Sequence, residues 1–341
     1  LCCTITSCIE YIHLHDRART LLSDAEAYLK AHPLPADTPE EVADAVYGAI
    51  KAGYRLLDCA AAYGNERDIG RVLSRTFEEG IVSRQELTVM TKLWNDMHGQ
   101  GDVLVACAKS LRDLGLDYVD VYMVHWPFPN YHAPGARLKG RNPDAVPFSA
   151  EEYLSVWRQM EQLVDMGIVR SLGMSNMTIT KLEQVLPLCR IKPVVLEVEI
   201  NPAFQQPKLF EYCIRHDILP VAFSPMGSPC RPERDTEEGD VVTFEMEELQ
   251  EIARAHHCHP AEICVKWAVQ RGHVPIPFSV YPEEYTGNLR CTTEDFLTDA
   301  EMEMLQKADR NARLIKGKVF LWEGAESWRD IWDGEDESNN L

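Results

Sequence analysis

Between residues 54 and 279 the chain alternates without interruption between short, mostly apolar runs and longer stretches of helical period. The runs at 54–58, 87–92, 118–125, 169–175, 194–200, 219–224 and 274–279 read as strands. The stretches at 66–75, 101–114, 150–166, 180–186, 207–216, 244–256 and 261–271 read as helices. A further helix opens at Thr38-Pro39-Glu40-Glu41, with threonine as cap, proline at the first position and two acids in the first turn. Val42, Val46 and Ile50 continue its apolar face until Gly53 stops it. Strict alternation implies a parallel sheet covered by helices. With seven such units and no break between halves, a closed (β/α)8 TIM barrel is favoured over an open sheet. The alternative, a Rossmann domain, needs G-x-G-x-x-G after its first strand, and the sequence has no such motif. Residues 4–14, rich in β-branched and aromatic side chains, are the candidate for an atypical first strand. The expected organisation is an atypical N-terminal segment at 1–36, a barrel domain at 37–308, and a C-terminal loop with an acidic tail at 309–341.

Composition narrows the partners. A formal net charge of −20 argues against nucleic acid and anionic membrane surfaces. No apolar run approaches the ~18 residues of a membrane span, and the first residues lack the pattern of a signal peptide. The eleven cysteines, an odd number without a C-x-x-C pair, suggest reduced thiols and a cytoplasmic setting. Nothing demands an oligomer, so a monomer is expected. His256-His257-Cys258-His259 has the look of a metal cluster at first glance, but it reads better as a polar helix end and loop before Pro260, where a new helix starts. No second ligand group has suitable spacing, and no metal is expected.

Three consecutive predicted strands end in polar residues, Asp58, Lys92 and His125, and Tyr63 follows the first by one short loop. In a barrel these four side chains converge over the C-terminal mouth, where such folds carry their chemistry. An isolated phenol, with a pKa near ~10, is a poor proton donor at neutral pH. A neighbouring ammonium is expected to lower that pKa, and an aspartate to hold the ammonium in place. The histidine can donate to the oxygen of a bound carbonyl. Together the four groups suit carbonyl reduction, protonating the alkoxide as a hydride donor forms it.

These residues carry a resemblance to the aldo-keto reductase superfamily, NAD(P)H-dependent barrel oxidoreductases, over roughly residues 38–332. Gly53-Tyr54-Arg55-Leu56-Leu57-Asp58-Cys59-Ala60-Ala61-Ala62-Tyr63-Gly64-Asn65-Glu66 resembles the family's first signature. Thr91-Lys92-Leu93-Trp94, Val124-His125-Trp126-Pro127 and Gly173-Met174-Ser175-Asn176 resemble its lysine, histidine and cofactor segments. The resemblance implies a small carbonyl substrate, with Tyr63 as general acid, Lys92 tuning it, Asp58 supporting Lys92 and His125 orienting the carbonyl. It implies that Ser175, Asn176 and Glu197 hold the nicotinamide carboxamide; glutamate there replaces the usual glutamine and can accept but not donate. It places Phe223 on the nicotinamide face, where tyrosine is usual, and Ser224, Met226 and Ser228 along the pyrophosphate. Trp94 and Trp126 would line the substrate pocket, or alternatively pack the core at strand ends.

Two segments depart from the family. Pro277-Phe278-Ser279-Val280-Tyr281-Pro282-Glu283-Glu284, with Asn288 beyond it, has Phe278 and Glu284 where a lysine and an arginine normally bind the 2′-phosphate of NADPH. Ser279, Glu284 and Asn288 remain cofactor candidates, and a carboxylate suits a free ribose 2′-hydroxyl, so NADH is expected over NADPH. Arg290 could restore phosphate binding. The family's opening Gly-x-Gly-Thr-Trp strand is also missing. Either residues 4–14 substitute for it, or the barrel has a gap there, or the N-terminus belongs to a variant gene model. Aromatics at 316–322 and 328–332 can close the pocket or simply anchor the tail. The expected activity is reduction of aldehydes or ketones; the alternative is a catalytically impaired, reductase-like barrel serving as a nucleotide-binding or regulatory protein. An isomerase on this fold would want a glycine-rich phosphate loop after the late strands, and none occurs.

Overall fold

The structure, a computed structural model, describes residues 40–129, 142, 144–228 and 231–335. Seven strands form one parallel sheet in strictly sequential order: β1 (Leu56–Asp58), β2 (Thr88–Leu93), β3 (Val119–Val124), β4 (Val169–Ser175), β5 (Val195–Glu199), β6 (Leu219–Phe223) and β7 (Val274–Pro275). Among the described residues ten α-helices accompany them: α1 (Glu40–Ala52), α2 (Glu66–Glu78), α3 (Asp102–Leu114), α4 (Ala150–Asp165), α5 (Ile179–Val185), α6 (Pro207–Arg215), α7 (Glu247–Ala255), α8 (Pro260–Arg271), α9 (Pro282–Arg290) and α10 (Asp299–Lys307). The sheet curls as in a (β/α)8 barrel, and its sequential order excludes the doubly wound alternative. Residues 4–14 and the cap at Thr38 lie outside the described residues.

Two elements differ from the sequence expectation. The last strand, expected over 274–279, keeps only Val274 and Pro275, although the Ile276 amide still donates to Ala222 O at 3.0 Å. Pro275 and Pro277 have no N–H to offer a ladder, which is why the pairing stops. The helix expected over 244–256 divides into a 3-10 turn at Thr243–Glu245 and α7. Helices α9 and α10 were not anticipated, although Thr298 and Glu301 form a capping box whose spacing is visible in the sequence.

Strand parity positions the site. Along each strand, alternate side chains point into the barrel. Met90, Val121, Met123, Val195 and Val221 fill its interior as one buried cluster, with Leu56, Val274 and Ile276 packed against it. Gly173 of β4 belongs to this layer, because a Cβ there would lie 2.7 Å from Val195 Cγ2 and 3.1 Å from Met123 Cβ. Two residues further along each strand, the inward parity reaches Asp58, Lys92, His125, Ser175, Glu197 and Phe223. The intervening residues, among them Val89, Tyr122, Leu172, Leu196 and Ala222, face outward into the helix layer and its larger core.

The sheet has no pairing between β7 and β1 among the described residues. Helices α1 and α9 pack across this seam. The Tyr54 hydroxyl donates to Tyr285 O at 2.9 Å. Gly48 in α1 is a necessary gap, since a Cβ there would sit 2.0 Å from Tyr285 Oη. At the opposite side of the mouth the C-terminal segment is tied down by buried charge. The Glu199 carboxylate accepts from Leu314 N and Ile315 N, and Lys181 pairs with Asp333 at 2.5 Å.

Among the described residues, no helix is long and apolar enough to cross a membrane. None of the His, Cys, Asp and Glu groups there could hold a metal ion. His256 instead bridges Asp295 and Glu301, and His259 caps α8 by accepting from Ala261 N at 3.1 Å.

Candidate active site

The four residues expected to converge do so. Lys92 leaves β2 toward the barrel axis, and its ammonium donates to both oxygens of Asp58, each at 2.6 Å. It also donates to Cys59 O and to Tyr63 Oη, each at 3.2 Å. Tyr63 is delivered by a 3-10 turn, Ala61–Tyr63, that Gly64 ends with φ +70°. The alanines before it are small enough to bring the turn down over the lysine; Cys59 and Ala60 are buried beneath. His125 follows β3, its amide donating to Leu93 O at 3.1 Å. Its ring meets that of Tyr63 edge-on at 5.9 Å between centroids, and that of Trp94 at 5.1 Å. The phenol and imidazole thus stand side by side at the C-terminal ends of the strands.

A fifth residue joins them. Glu197 of β5 brings Oε1 to 3.3 Å from the Lys92 ammonium. The sequence reading set Glu197 at the cofactor, not at the lysine; its inward parity two residues after Val195 was the available signal. Burial works against the charge on Lys92, but Asp58 and Glu197 outweigh it and hold its pKa well above the ordinary value. Burial, together with the Lys92 charge, pushes His125 well below 6.5. The imidazole is therefore neutral, with one nitrogen a donor and the other an acceptor.

Tyr63 corrects the expectation of a lowered pKa. Burial of the hydroxyl raises it, and Lys92 lowers it, but Asp58 and Glu197 raise it again. The net direction is upward, because burial outweighs the lowering by the ammonium and the neighbouring carboxyl groups add to it. Although 48% of the residue's surface is exposed, its hydroxyl lies 3.2 Å from the buried Lys92 ammonium. The phenol stays protonated across the physiological range, a proton source rather than a phenolate.

At the ends of β4 and β5 lies a polar shelf. Ser175 and Glu197 are register partners, and Asn176 takes φ +57° as its amide donates to Glu197 O at 3.0 Å. Asn176 Nδ2 donates to His125 O at 2.9 Å and to Ser175 Oγ at 3.0 Å. Asn176 Oδ1, Glu197 Oε2 and His125 Nδ1 are buried with no hydrogen-bond partner. Orphaned buried polar atoms are costly, and three beside one cleft fit the carboxamide and carbonyl of bound molecules. Phe223 ends β6 with its side on the barrel interior. Ser224 (φ +48°) and Gly227 (φ +78°) turn the chain after it, carrying Met226 and Ser228 away along the rim.

Ser279, Glu284 and Asn288 form a separate group on the far side of β7. Ser279 Oγ donates to Glu284 Oε2 at 2.6 Å, Asn288 is buried, and Phe278 is 70% exposed. No hydrogen bond or ion pair among the described residues links this group to Lys92. Arg290 is turned toward Glu262, at 3.9 Å.

An aromatic cluster borders His125. Trp94 and Trp126 are buried in a cluster with Phe128, Phe320 and Trp332. The Trp126 ring lies 4.4 Å from that of Phe320 and 5.6 Å from that of Trp332. Both tryptophans pack against the tail, as the core reading expects, and the Trp94 ring also meets that of His125. Asn95, unremarked in the sequence, fixes the loop by donating to Trp126 O and Phe128 O.

The family model described as "Aldo/keto reductase family" matches residues 34–310. An aldo/keto reductase of Synechocystis sp. is 38% identical over 297 residues, 87% of this chain and 90% of that protein. An NADPH-dependent D-xylose reductase of Candida boidinii is 37% identical over 278 residues, covering 80% of this chain and 86% of its own length. The crystal structure of a Bombyx mori aldo-keto reductase in complex with NADP superposes with a TM-score of 0.71 at 31% identity, covering 83% of this chain and 88% of that one.

Proposed function

The chain belongs to the aldo/keto reductase family, and from that premise we propose that it reduces aldehydes or ketones to alcohols with Tyr63 as the proton donor. The observation that carries this reading is the Tyr63 hydroxyl held 3.2 Å from a buried ammonium, with a neutral imidazole edge-on to the phenol ring. A bound nicotinamide cofactor supplies the hydride. Asn176 and Glu197, with their unpartnered oxygens, would hold its carboxamide beside Ser175, Phe223 would cover its ring, and Ser224, Met226 and Ser228 would follow its pyrophosphate. His125 donates to the substrate oxygen and orients the carbonyl. As negative charge develops on that oxygen, the Tyr63 O–H bond breaks and its proton forms the alcohol O–H. Lys92 faces the phenolate left behind, and Asp58 keeps Lys92 in place. Trp94 and Trp126 bound the substrate. The work is that of a monomer in the cytoplasm.

NADP(H) is the family's usual cofactor, and a relative is solved with NADP. This chain leans to NADH, because the exposed Phe278 supplies no cation and Glu284 presents a carboxylate already engaged with Ser279. A 2′-phosphate there meets like charge; a ribose hydroxyl can donate.

A second reading, an impaired barrel that binds nucleotide without turning it over, draws support from the unpaired seam between β7 and β1 among the described residues. Fluorescence-monitored oxidation of NADH and NADPH by the full chain with a simple aldehyde decides between them. Turnover supports the reductase; tight nucleotide binding without turnover supports the second reading.

A further inference from the structure

Glu197 gives this site one carboxyl group more than its lysine can balance. Asp58 occupies the ammonium with two oxygens at 2.6 Å, whereas Glu197 reaches it with one at 3.3 Å and keeps the other buried and unpartnered. The side chains of Lys92, Glu197 and Asp58 are 0%, 2% and 10% exposed. Among the described residues no other cation pairs with either carboxyl. Three ionised groups would leave one uncompensated buried negative charge, which such a site sheds by keeping a proton. The geometry selects the holder. Asp58 makes two short charge-assisted contacts that suit a carboxylate, and the Glu197 carboxyl, within hydrogen-bonding reach of Asp58, can carry the hydrogen between the two.

We propose that Glu197 is the titrating member of the cluster, a neutral acid in the working enzyme, whose ionisation oversubscribes Lys92 and weakens Tyr63 as a proton donor. The inference rests on the reductase reading of the site. Burial, opposed by the Lys92 charge and reinforced by Asp58, pushes the Glu197 carboxyl up to about 8. Once formed, its negative charge tightens the hold of Tyr63 on its proton. The titratable groups meeting here are Asp58 from β1, Tyr63 from the turn after it, Lys92 from β2, His125 from the end of β3 and Glu197 itself. Ser175, Asn176 and Phe223, from β4 and β6, do not titrate. A neutral Glu197 also answers the objection raised by the sequence, because a protonated acid has both a donor and an acceptor, as an amide does.

The test is the pH profile of kcat/KM for a small aldehyde at saturating reduced nucleotide, on the full chain and on Glu197→Gln, paired with infrared titration of the same proteins without substrate. The wild type is expected to lose rate by about tenfold per pH unit above about pH 8. Glu197→Gln loses that limb whatever its absolute rate. In the infrared, a buried carboxylic C=O band present at pH 7 disappears as the wild type passes the same pH and is missing from Glu197→Gln. Asp58→Asn, which leaves Lys92 to Glu197 alone, moves the band's loss to lower pH. A descending limb that survives in Glu197→Gln, or identical carboxylic bands in wild type and Glu197→Gln at pH 7, overturns the proposal. Failure of the wild type to reduce any aldehyde overturns the reductase reading, and the infrared titration then still decides where the proton sits.

Discussion

Replacing Lys92 by methionine keeps the volume of the side chain and removes its charge. In the native site that ammonium meets Asp58 Oδ1 and Oδ2, Glu197 Oε1, Cys59 O and Tyr63 Oη. Without it, two carboxyls at most one-tenth exposed lose their cation. Breaking a buried ion pair from one side costs about 3–5 kcal/mol. The sign of the pH dependence follows. With the cation gone, the buried carboxyl cluster of the folded protein holds protons more tightly than the unfolded chain does. The penalty is therefore fully present above the cluster's folded-state pKa values and disappears as pH falls and the folded protein takes up protons. Urea denaturation followed by tryptophan fluorescence should show a deficit of about 3–5 kcal/mol at pH 9, shrinking to about 1 kcal/mol at pH 5. Adding Asp58→Asn to Lys92→Met should recover much of the loss at pH 9. A deficit under about 1 kcal/mol at pH 9, or one equal at both pH values, refutes the buried charge cluster as the reason these residues are packed together.

Two further outcomes follow from other parts of the molecule. Gly173→Val forces side-chain atoms into the space held by Val195 and Met123; overpacking of this kind should lower the urea midpoint by the equivalent of about 1–3 kcal/mol. Phe278→Lys combined with Glu284→Arg removes the carboxylate from Ser279 and supplies two cations; at about 1.5–3 kcal/mol for a charged hydrogen bond, the kcat/KM ratio of NADPH to NADH should rise by at least about tenfold.

The alternation of apolar runs and helices was enough to lay out the barrel, and it located β4 to the residue: the run at 169–175 is Val169–Ser175. Where it failed, a backbone property intervened. Proline removed the donors that would have lengthened β7, and short capped helices such as α10 lack the long apolar stripe that periodicity detects. Asp58, Lys92 and His125 were legible because each ends an apolar run, and Tyr63 because a glycine turn follows it. The direction of the Tyr63 pKa was not legible. It is set first by burial of the hydroxyl, with Asp58 and Glu197 adding to it, and Glu197 lies 105 positions away from Lys92 in the sequence and meets it only once the sheet curls. Parity within β5 turns Glu197 inward, but how many carboxyls share one ammonium is a property of the closed site.

The most direct measurement compares Tyr63→Phe with the wild type for aldehyde turnover and for nucleotide affinity by fluorescence titration. The phenyl ring keeps the packing at the cleft mouth and lacks only the proton. Turnover should fall by at least about a hundredfold, in line with a positioned general acid, while nucleotide affinity stays within about threefold, or less than about 1 kcal/mol. Turnover within tenfold of the wild type would place the proton source elsewhere and contradict the assignment.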